Sequence, residues 1–404
     1  MRILHAICSA DPAGGGPIEL VKQLGRVNRE SGHSIEVASL DAPDAAFLRD
    51  FPLPVFPLGP RRGGYGFSAR YVPWLQANVA KYDVVIVEGL WQYHSFGAWR
   101  VLRTSWIPYV VVTHGMLDPW FRRKYPLKHL KKWLYWPWGE YRVLRDAAAV
   151  LFTCEEERLL ARKSFWLYSA QERVINLGTA SLTENQDAQE SEFFSRFPHL
   201  RGKRLVLFMG RIHPKKGCDL ALEAFEAVLA SDPSWHFVMA GPDQVGWQSS
   251  LESLAAKLRI ANRITWTGLV KGDLKLGAIR VAEVLLLPSH QENFGIVVAE
   301  ALACGVPALI SNKVNIWREV QSDGGGLVAP DNLEGACSLL KLWVELSEQQ
   351  KLDMRECARK SFEKRFEIHQ ASTTLLGILQ EVIQSRTSSW HCSDYRAVPQ
   401  VPSD

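Results

Sequence analysis

PSHQENFGIVVAEALACG, residues 288–305, decides how the rest of the chain is read. It follows the apolar, strand-like run AEVLLL at 282–287, turns a polar corner through Ser289, His290 and Glu292, and enters the helical run FGIVVAEALA. Glu300 lies inside that apolar run, where an ionised carboxylate costs on the order of several kcal/mol to desolvate unless something hydrogen-bonds it. The position is the carboxyl end of an expected parallel strand, where open α/β sheets hold their ligands. Glu292 on the loop and Glu300 in the helix are eight residues apart, so two carboxylates can address different parts of one polyhydroxylated ligand. A solvated loop glutamate and an outward-facing helix glutamate are the plainer alternative.

Upstream, GRIHPKKG at 210–217 supplies the opposite charge. Arg211 comes straight off the strand-like RLVLFM, and Lys216 precedes the glycine that opens the next helix. Two cations facing a helix N-terminus form an anion site suited to a diphosphate. Downstream, NIWREV at 315–320 puts Glu319 ahead of a turn at Gly324, Gly325 and Gly326.

The whole alternation predicts strands at 204–209, 235–240, 263–267, 283–287 and 307–310. Helices are expected at 218–230, 249–258, 272–281, 294–303 and 333–345, and helical patterns from 346 to 386. The first half repeats the pattern. Strands are expected at 2–7, 35–39, 84–88, 109–113 and 148–153, with a Pro/Gly-rich irregular connection at 50–66. Two α/β domains with mostly buried parallel sheets follow. The expected boundaries are 1–180 and 200–366. The polar stretch 180–203 serves as linker, the final helix 367–386 packs back on the first domain, and 387–404 is a disordered tail.

In the first domain, SADPAGGGP at 9–17 is a Gly-rich corner between strand and helix. Glycine there lets backbone amides approach an anion. Its spacing matches neither a dinucleotide fingerprint nor a Walker A loop, and an empty structural turn is the alternative. His114 ends the 109–113 strand and precedes a glycine, a placement from which a side chain reaches a ligand crevice. His94 reads more readily as a structural histidine.

Residues 120–145, WFRRKYPLKHLKKWLYWPWGEYRVLR, hold six Lys/Arg within 122–132, interleaved with aromatic and leucine side chains. That composition suits an anionic membrane surface or a lipid-linked diphosphate, and equally a basic helix packed on its aromatic side. Stacking on single-stranded nucleic acid is the third alternative, and no other feature supports it.

The 404 residues carry 47 basic and 43 acidic side chains, a net charge of +4, which is too balanced for a dedicated nucleic-acid binder. The 7 cysteines are scattered without a C-x-x-C, so neither a disulfide framework nor a zinc site is expected. No D-x-D pair or His/Cys cluster is placed to hold a metal. The first residues, MRILHAI, read as a strand rather than a cleavable leader, and no run of about eighteen apolar residues occurs. The expected location is therefore cytoplasmic, with peripheral contact at the inner face of the plasma membrane through 120–145.

Together these residues resemble the retaining nucleotide-sugar glycosyltransferases of the GT-B fold, sequence-family 4. PSHQENFGIVVAEALACGVPALIS resembles the family's E-x7-E block and GRIHPKKG its diphosphate motif, with THG at 113–115 and the early GGG loop in support. The resemblance implies two Rossmann-like domains facing a central cleft, and no cofactor beyond a nucleotide-diphosphate sugar donor, UDP- or GDP-linked. It implies that Arg211 and Lys216 neutralise the diphosphate and that Glu300 holds the ribose. Glu292 and His114 would lie near the transferred sugar. Phe294 and Gly295 would border the nucleotide, and Gly15 and Gly16 would close over the phosphates. THGML followed by basic and aromatic residues resembles the group 1 branch that builds bacterial exopolysaccharide or lipopolysaccharide. Two departures bear on donor choice: Val314 to Glu319 is bulkier than the family's pattern, and Asn293 stands where glycine is common. A GT-B epimerase, a phosphorylase and a non-catalytic membrane-binding module remain open. A dehydrogenase is disfavoured by the glycine spacing.

Overall fold

The computed structural model describes residues 1–179 and 185–394, and the chain divides into two compact units. The first comprises Met1–Leu177 with Ile368–Asp404, the second Gly178–Glu367. Each is an α/β unit built on one parallel sheet.

In the first unit, seven strands run in the order β3-β2-β1-β4-β5-β6-β7. They are β1 (Arg2–Ile7), β2 (Ser34–Ser39), β3 (Val55–Pro57), β4 (Val84–Glu88), β5 (Tyr109–Val112), β6 (Ala149–Phe152) and β7 (Glu172–Val174). Every residue of β4, β5 and β6 is buried. That is why these segments read as unbroken apolar runs rather than alternating ones. The edge strands β3 and β7 were not expected. β3 lies in the Pro/Gly-rich connection, flanked by Pro54 and closed by Pro57, and an edge strand tolerates prolines because its outer N–H groups pair with nothing.

The second unit has six strands in the order β10-β9-β8-β11-β12-β13. They are β8 (Arg204–Met209), β9 (Trp235–Ala240), β10 (Ile264–Gly268), β11 (Val284–Leu287), β12 (Ala308–Ser311) and β13 (Gly326–Ala329). The glycine cluster expected as a turn also starts β13. A Cβ at Gly326 would stand 2.0 Å from the Ala308 carbonyl oxygen, so only glycine lets this edge strand close on β12.

The stretch 180–203, expected as a linker, departs most from its reading. Residues 180–184 lie outside the described residues, but Gln186–Arg196 is a helix packed on the helix Gly272–Arg280. Phe193 is fully buried, Gln189 donates to Asp273 (2.9 Å) and Arg280 donates to Gln189 (2.7 Å). Gly277 admits the close approach, since a Cβ there would meet the Gln189 carbonyl oxygen at 2.1 Å. Polar composition misled because the helix buries only a narrow seam, Gln189 and Phe193, and leaves most of its polar side chains exposed. At the other end, the helix Ile368–Asp394 continues past the point where the tail was expected to lose order, and 395–404 lie outside the described residues. Ser372 on this helix hydrogen-bonds Asn28 at 2.6 Å, within the first unit.

One buried acid in the first unit gives a test of the packing. Glu140 is fully buried, and its Oε1 accepts from the Trp91 amide (2.8 Å) and the Ser95 hydroxyl (2.9 Å). Burial pushes it up to about 7, the two hydrogen bonds and the charge of Lys132 opposing. The folded chain therefore binds this proton more tightly than the unfolded chain. Its contribution to stability is lost as pH rises from the unfolded value near 4.5 through 7, a difference on the order of 3 kcal/mol. Melting temperatures of wild type and Glu140→Gln across pH 5–8 should diverge in favour of the variant as pH rises, then run parallel above about pH 8. A constant difference across the range would contradict the assignment.

Candidate functional site

Both sheets have a topological switch point, between β1 and β4 in the first unit and between β8 and β11 in the second. Ligands of open α/β sheets bind outside the carboxyl ends of strands at such points. The expected residues cluster at these two places.

In the second unit, the loop after β8 carries Arg211 and Lys216, and the loop after the adjoining β11 carries Glu292. Gly217 closes the first loop with φ +63°, and a Cβ there would lie 2.4 Å from the Pro288 carbonyl oxygen. Glycine at this position is thus what lets the two loops meet. The His290 amide donates to the Lys215 carbonyl at 2.8 Å and ties them further. Lys216 and Glu292, both mostly buried, are in ion-pair contact. Burial pulls the Lys216 ammonium down from the usual lysine range, with Arg211 and Lys215 adding repulsion. Arg211 is exposed and its guanidinium reaches Gln244 at 3.4 Å.

Glu300 projects from the helix Ile296–Ala303 and takes Lys275 Nζ at 2.5 Å. Lys275 is the partner that offsets the desolvation anticipated for this carboxylate. Nothing in the local sequence announces it, because it sits on the helix before β11. Gly295 starts the Glu300 helix at φ +73°. Phe294 is buried edge-to-face on Phe366, with centroids 5.7 Å apart, so its ring is spent on packing. The bulkier loop after β12 is laced to Glu292 through its backbone. Glu292 N donates to the Lys313 carbonyl (2.9 Å), and Asn315 N donates to the Glu292 carbonyl (3.0 Å). Glu319 is buried on the short helix Trp317–Ser322.

In the first unit, the glycine loop follows β1 and opens the helix Gly16–Glu30. Gly15 has φ +80°, and neither Gly15 nor Gly16 has anything within 4 Å of a Cβ position. Packing therefore does not explain Gly16. His114, just past β5, has φ +49° and its Nε2 lies 2.6 Å from Glu88 Oε2. The other carboxylate oxygen takes His5 Nδ1 at 2.7 Å. Burial alone would push Glu88 up, but the hydrogen bonds and charges of His114 and His5 outweigh it and hold the acid down to about 2. His94 is fully buried with Nε2 on the Glu88 carbonyl oxygen (2.8 Å), and burial pulls it down to about 4. It is structural. Sequence reading missed Glu88 and His5. The signal was present, since each is a lone polar residue in an apolar strand, VVIVE and RILHAI.

The basic stretch divides. Trp136 is fully buried and stacks on Phe165 at 4.4 Å, Lys132 lies over the Trp91 ring at 4.4 Å, and Tyr135 meets Tyr65 hydroxyl to hydroxyl at 2.6 Å. The helix Pro126–Tyr135 nevertheless buries no residue completely. Leu127 is 78%, Trp138 68% and Leu134 61% exposed, with Lys124, Lys128 and Lys131 beside them at the surface. Packing and an open apolar–basic face coexist. Among the described residues, no helix is long and apolar enough to cross a membrane.

Comparison with known proteins bears on the family and the fold. Residues 15–178 match the glycosyl transferase 4-like domain and residues 189–361 match glycosyl transferases group 1. The chain is similar to a D-inositol 3-phosphate glycosyltransferase of Geodermatophilus obscurus, 40% identical over 127 residues covering 30% of this chain and 28% of that protein. It is similar to the alpha-D-kanosaminyltransferase of Streptomyces kanamyceticus, 28% identical over 61% of this chain and 63% of that one. The chain thus spans less than two thirds of the length of these curated relatives. The solved structure of Anabaena Alr3699/HepE in complex with UDP shares the fold, with a TM-score of 0.75 over 94% of this chain and 100% of that chain at 16% identity. With both halves matched, this chain belongs to the group 1 glycosyl transferases of the GT-B fold.

Proposed function

We propose that this protein is a retaining glycosyltransferase that moves a sugar from a nucleoside-diphosphate sugar to a saccharide or lipid-linked saccharide in cell-surface polysaccharide synthesis. The observation that carries the donor assignment is the convergence of Arg211, Lys216, Glu292 and Glu300 on adjoining strand ends at one switch point. Arg211 and Lys216 meet the negative charge that grows on the departing diphosphate, the task a metal performs elsewhere. Glu300 holds the ribose hydroxyls, and a diphosphate that engages Lys216 frees Glu292 for the sugar. The bond from the anomeric carbon to the diphosphate oxygen breaks as the acceptor hydroxyl bonds to the same face of that carbon. The acceptor's proton passes to the leaving diphosphate. His114 steadies the transferred sugar, and Gly15 and Gly16 bring backbone amides to the phosphates. The lipid-linked acceptor is supported by the exposed leucines, Trp138 and lysines of 120–145, which suit an anionic leaflet.

Isothermal titration against UDP-, GDP- and ADP-sugars should find one donor binding between roughly 1 μM and 1 mM. Arg211→Ala and Glu300→Ala should each weaken it about 10-fold or more, the loss expected of a charged hydrogen bond. Turnover of that donor should be insensitive to EDTA. Binding of no donor, or variants that bind like wild type, would contradict the site. Dependence on inorganic phosphate, or conversion without acceptor, would replace the transferase reading with a phosphorylase or an epimerase.

For the membrane face, the combined Lys124→Gln, Lys128→Gln, Lys131→Gln variant should bind phosphatidylglycerol vesicles on the order of 10²-fold more weakly than wild type at low salt, at about 1 kcal/mol per lysine. Sedimentation with vesicles reads this directly. Equal binding by the variant would remove the surface from the account.

A further inference from the structure

The first unit holds a buried polar group that the donor chemistry does not use. We propose that Glu88 is a positioning residue for His114: its carboxylate, gripped from the other side by His5, fixes the His114 ring with Nε2–H turned inward and leaves Nδ1 as the atom offered to substrate. The inference rests on the transferase reading for what His114 touches, but the ring's orientation and tautomer stand apart from it.

The register explains how three distant residues meet. Glu88 pairs with Ile7 on β1 and with Val112 on β5. His5 lies two residues before Ile7 and so shares its sheet face, and His114 lies two residues beyond Val112. The middle strand thus carries the acid, and each flanking strand brings one imidazole to it. An ionised carboxylate only accepts hydrogen bonds. Oε1 faces His5 Nδ1 at 2.7 Å and Oε2 faces His114 Nε2 at 2.6 Å, so both nitrogens must carry protons. That assignment sets the tautomer each ring takes in its uncharged form. The carboxylate cannot rotate away without losing both bonds.

The surroundings hold His114 against its own backbone preference. Its φ of +49° lies in the left-handed region, which non-glycine residues seldom occupy. The residues on either side are clamped by a second buried acid, Glu157, which accepts from the Thr113 hydroxyl (2.6 Å) and the Gly115 amide (2.5 Å). Glu157 is in turn fixed on β6's exit by the Thr153 amide (2.7 Å) and hydroxyl (2.6 Å). Glu88 cannot drift either, because His94 Nε2 holds its carbonyl oxygen at 2.8 Å. One histidine at a strand end is therefore fixed by its backbone through Glu157 and by its ring through Glu88. Such double fixation fits a ring whose direction matters at better than about 1 Å, the scale at which misplacement costs on the order of 10²-fold in rate.

The test uses the full chain labelled with 15N-histidine, with the His114 signals identified by their loss in His114→Ala. Long-range 15N–1H correlation followed to alkaline pH should show the uncharged His114 ring of wild type as the Nε2–H tautomer, and that signature should change in Glu88→Met, which keeps the shape but offers no acceptor. With the donor and acceptor found for the enzyme, Glu88→Met should lower kcat on the order of 10²-fold with KM little altered. It should cost nothing further in a His114→Ala background. His5→Asn, whose amide N–H replaces Nδ1–H, should restore most of what His5→Ala loses. An unchanged His114 signature in Glu88→Met, or losses that add in the double variant, would overturn the proposal. Failure to find any transfer would leave the spectrum to decide the positioning claim alone.

Discussion

Strands buried on both faces can carry charge only at their ends, and only against a partner. The need for a partner shows in the charged pairs near the two switch points. Glu88 ends β4 between two histidines, Lys216 and Glu292 meet across the loops after β8 and β11, and Glu300 is held by Lys275. The partner comes from a neighbouring strand, loop or helix, and for Glu88 and the Lys216–Glu292 pair the sheet's strand order is what brings it there. A sheet wound in another order would leave these groups unpaired at a cost of several kcal/mol each, roughly. The order that avoids this is also the order that exposes a crevice at the carboxyl edge. Stability and site thus have one origin.

The sequence disclosed the central strands because burial on both faces makes them continuous apolar runs, and it disclosed Arg211, Lys216, Glu292 and Glu300 because charges interrupt such runs at the strand exits. It hid three of the four edge strands. Val55–Pro57, Glu172–Val174 and Gly326–Ala329 are short and partly exposed, and their composition resembles loop. The helix Gln186–Arg196 was hidden for a different reason: its one buried polar residue, Gln189, is satisfied by Asp273 and Arg280, more than 80 positions away. Partners suffered the same way. His5 and Glu88 lie 83 positions apart and Lys275 and Glu300 lie 25 apart, so no local window contains both halves of either pair.

The stretch 120–145 shows how one composition can serve two ends. Its aromatic residues are shared between an inner layer, where Trp136 packs on Phe165 and Lys132 covers Trp91, and an outer one, where Leu127, Leu134 and Trp138 face outward with lysines beside them. Lysine stems lie well on apolar surface while their ammonium groups stay in water. A surface of this kind keeps a peripheral protein soluble when free and gives it both apolar and electrostatic purchase on an anionic bilayer. The second unit's charge array needs no such surface.

The measurement that bears most directly on the central claim is a crystal structure with the nucleoside diphosphate of whichever sugar donor binds in solution. The account predicts the diphosphate against Arg211 and Lys216, the ribose hydroxyls on Glu300, and the Lys216–Glu292 pair opened. A diphosphate bound elsewhere on the chain, with that pair and the Lys275–Glu300 pair intact, would contradict it.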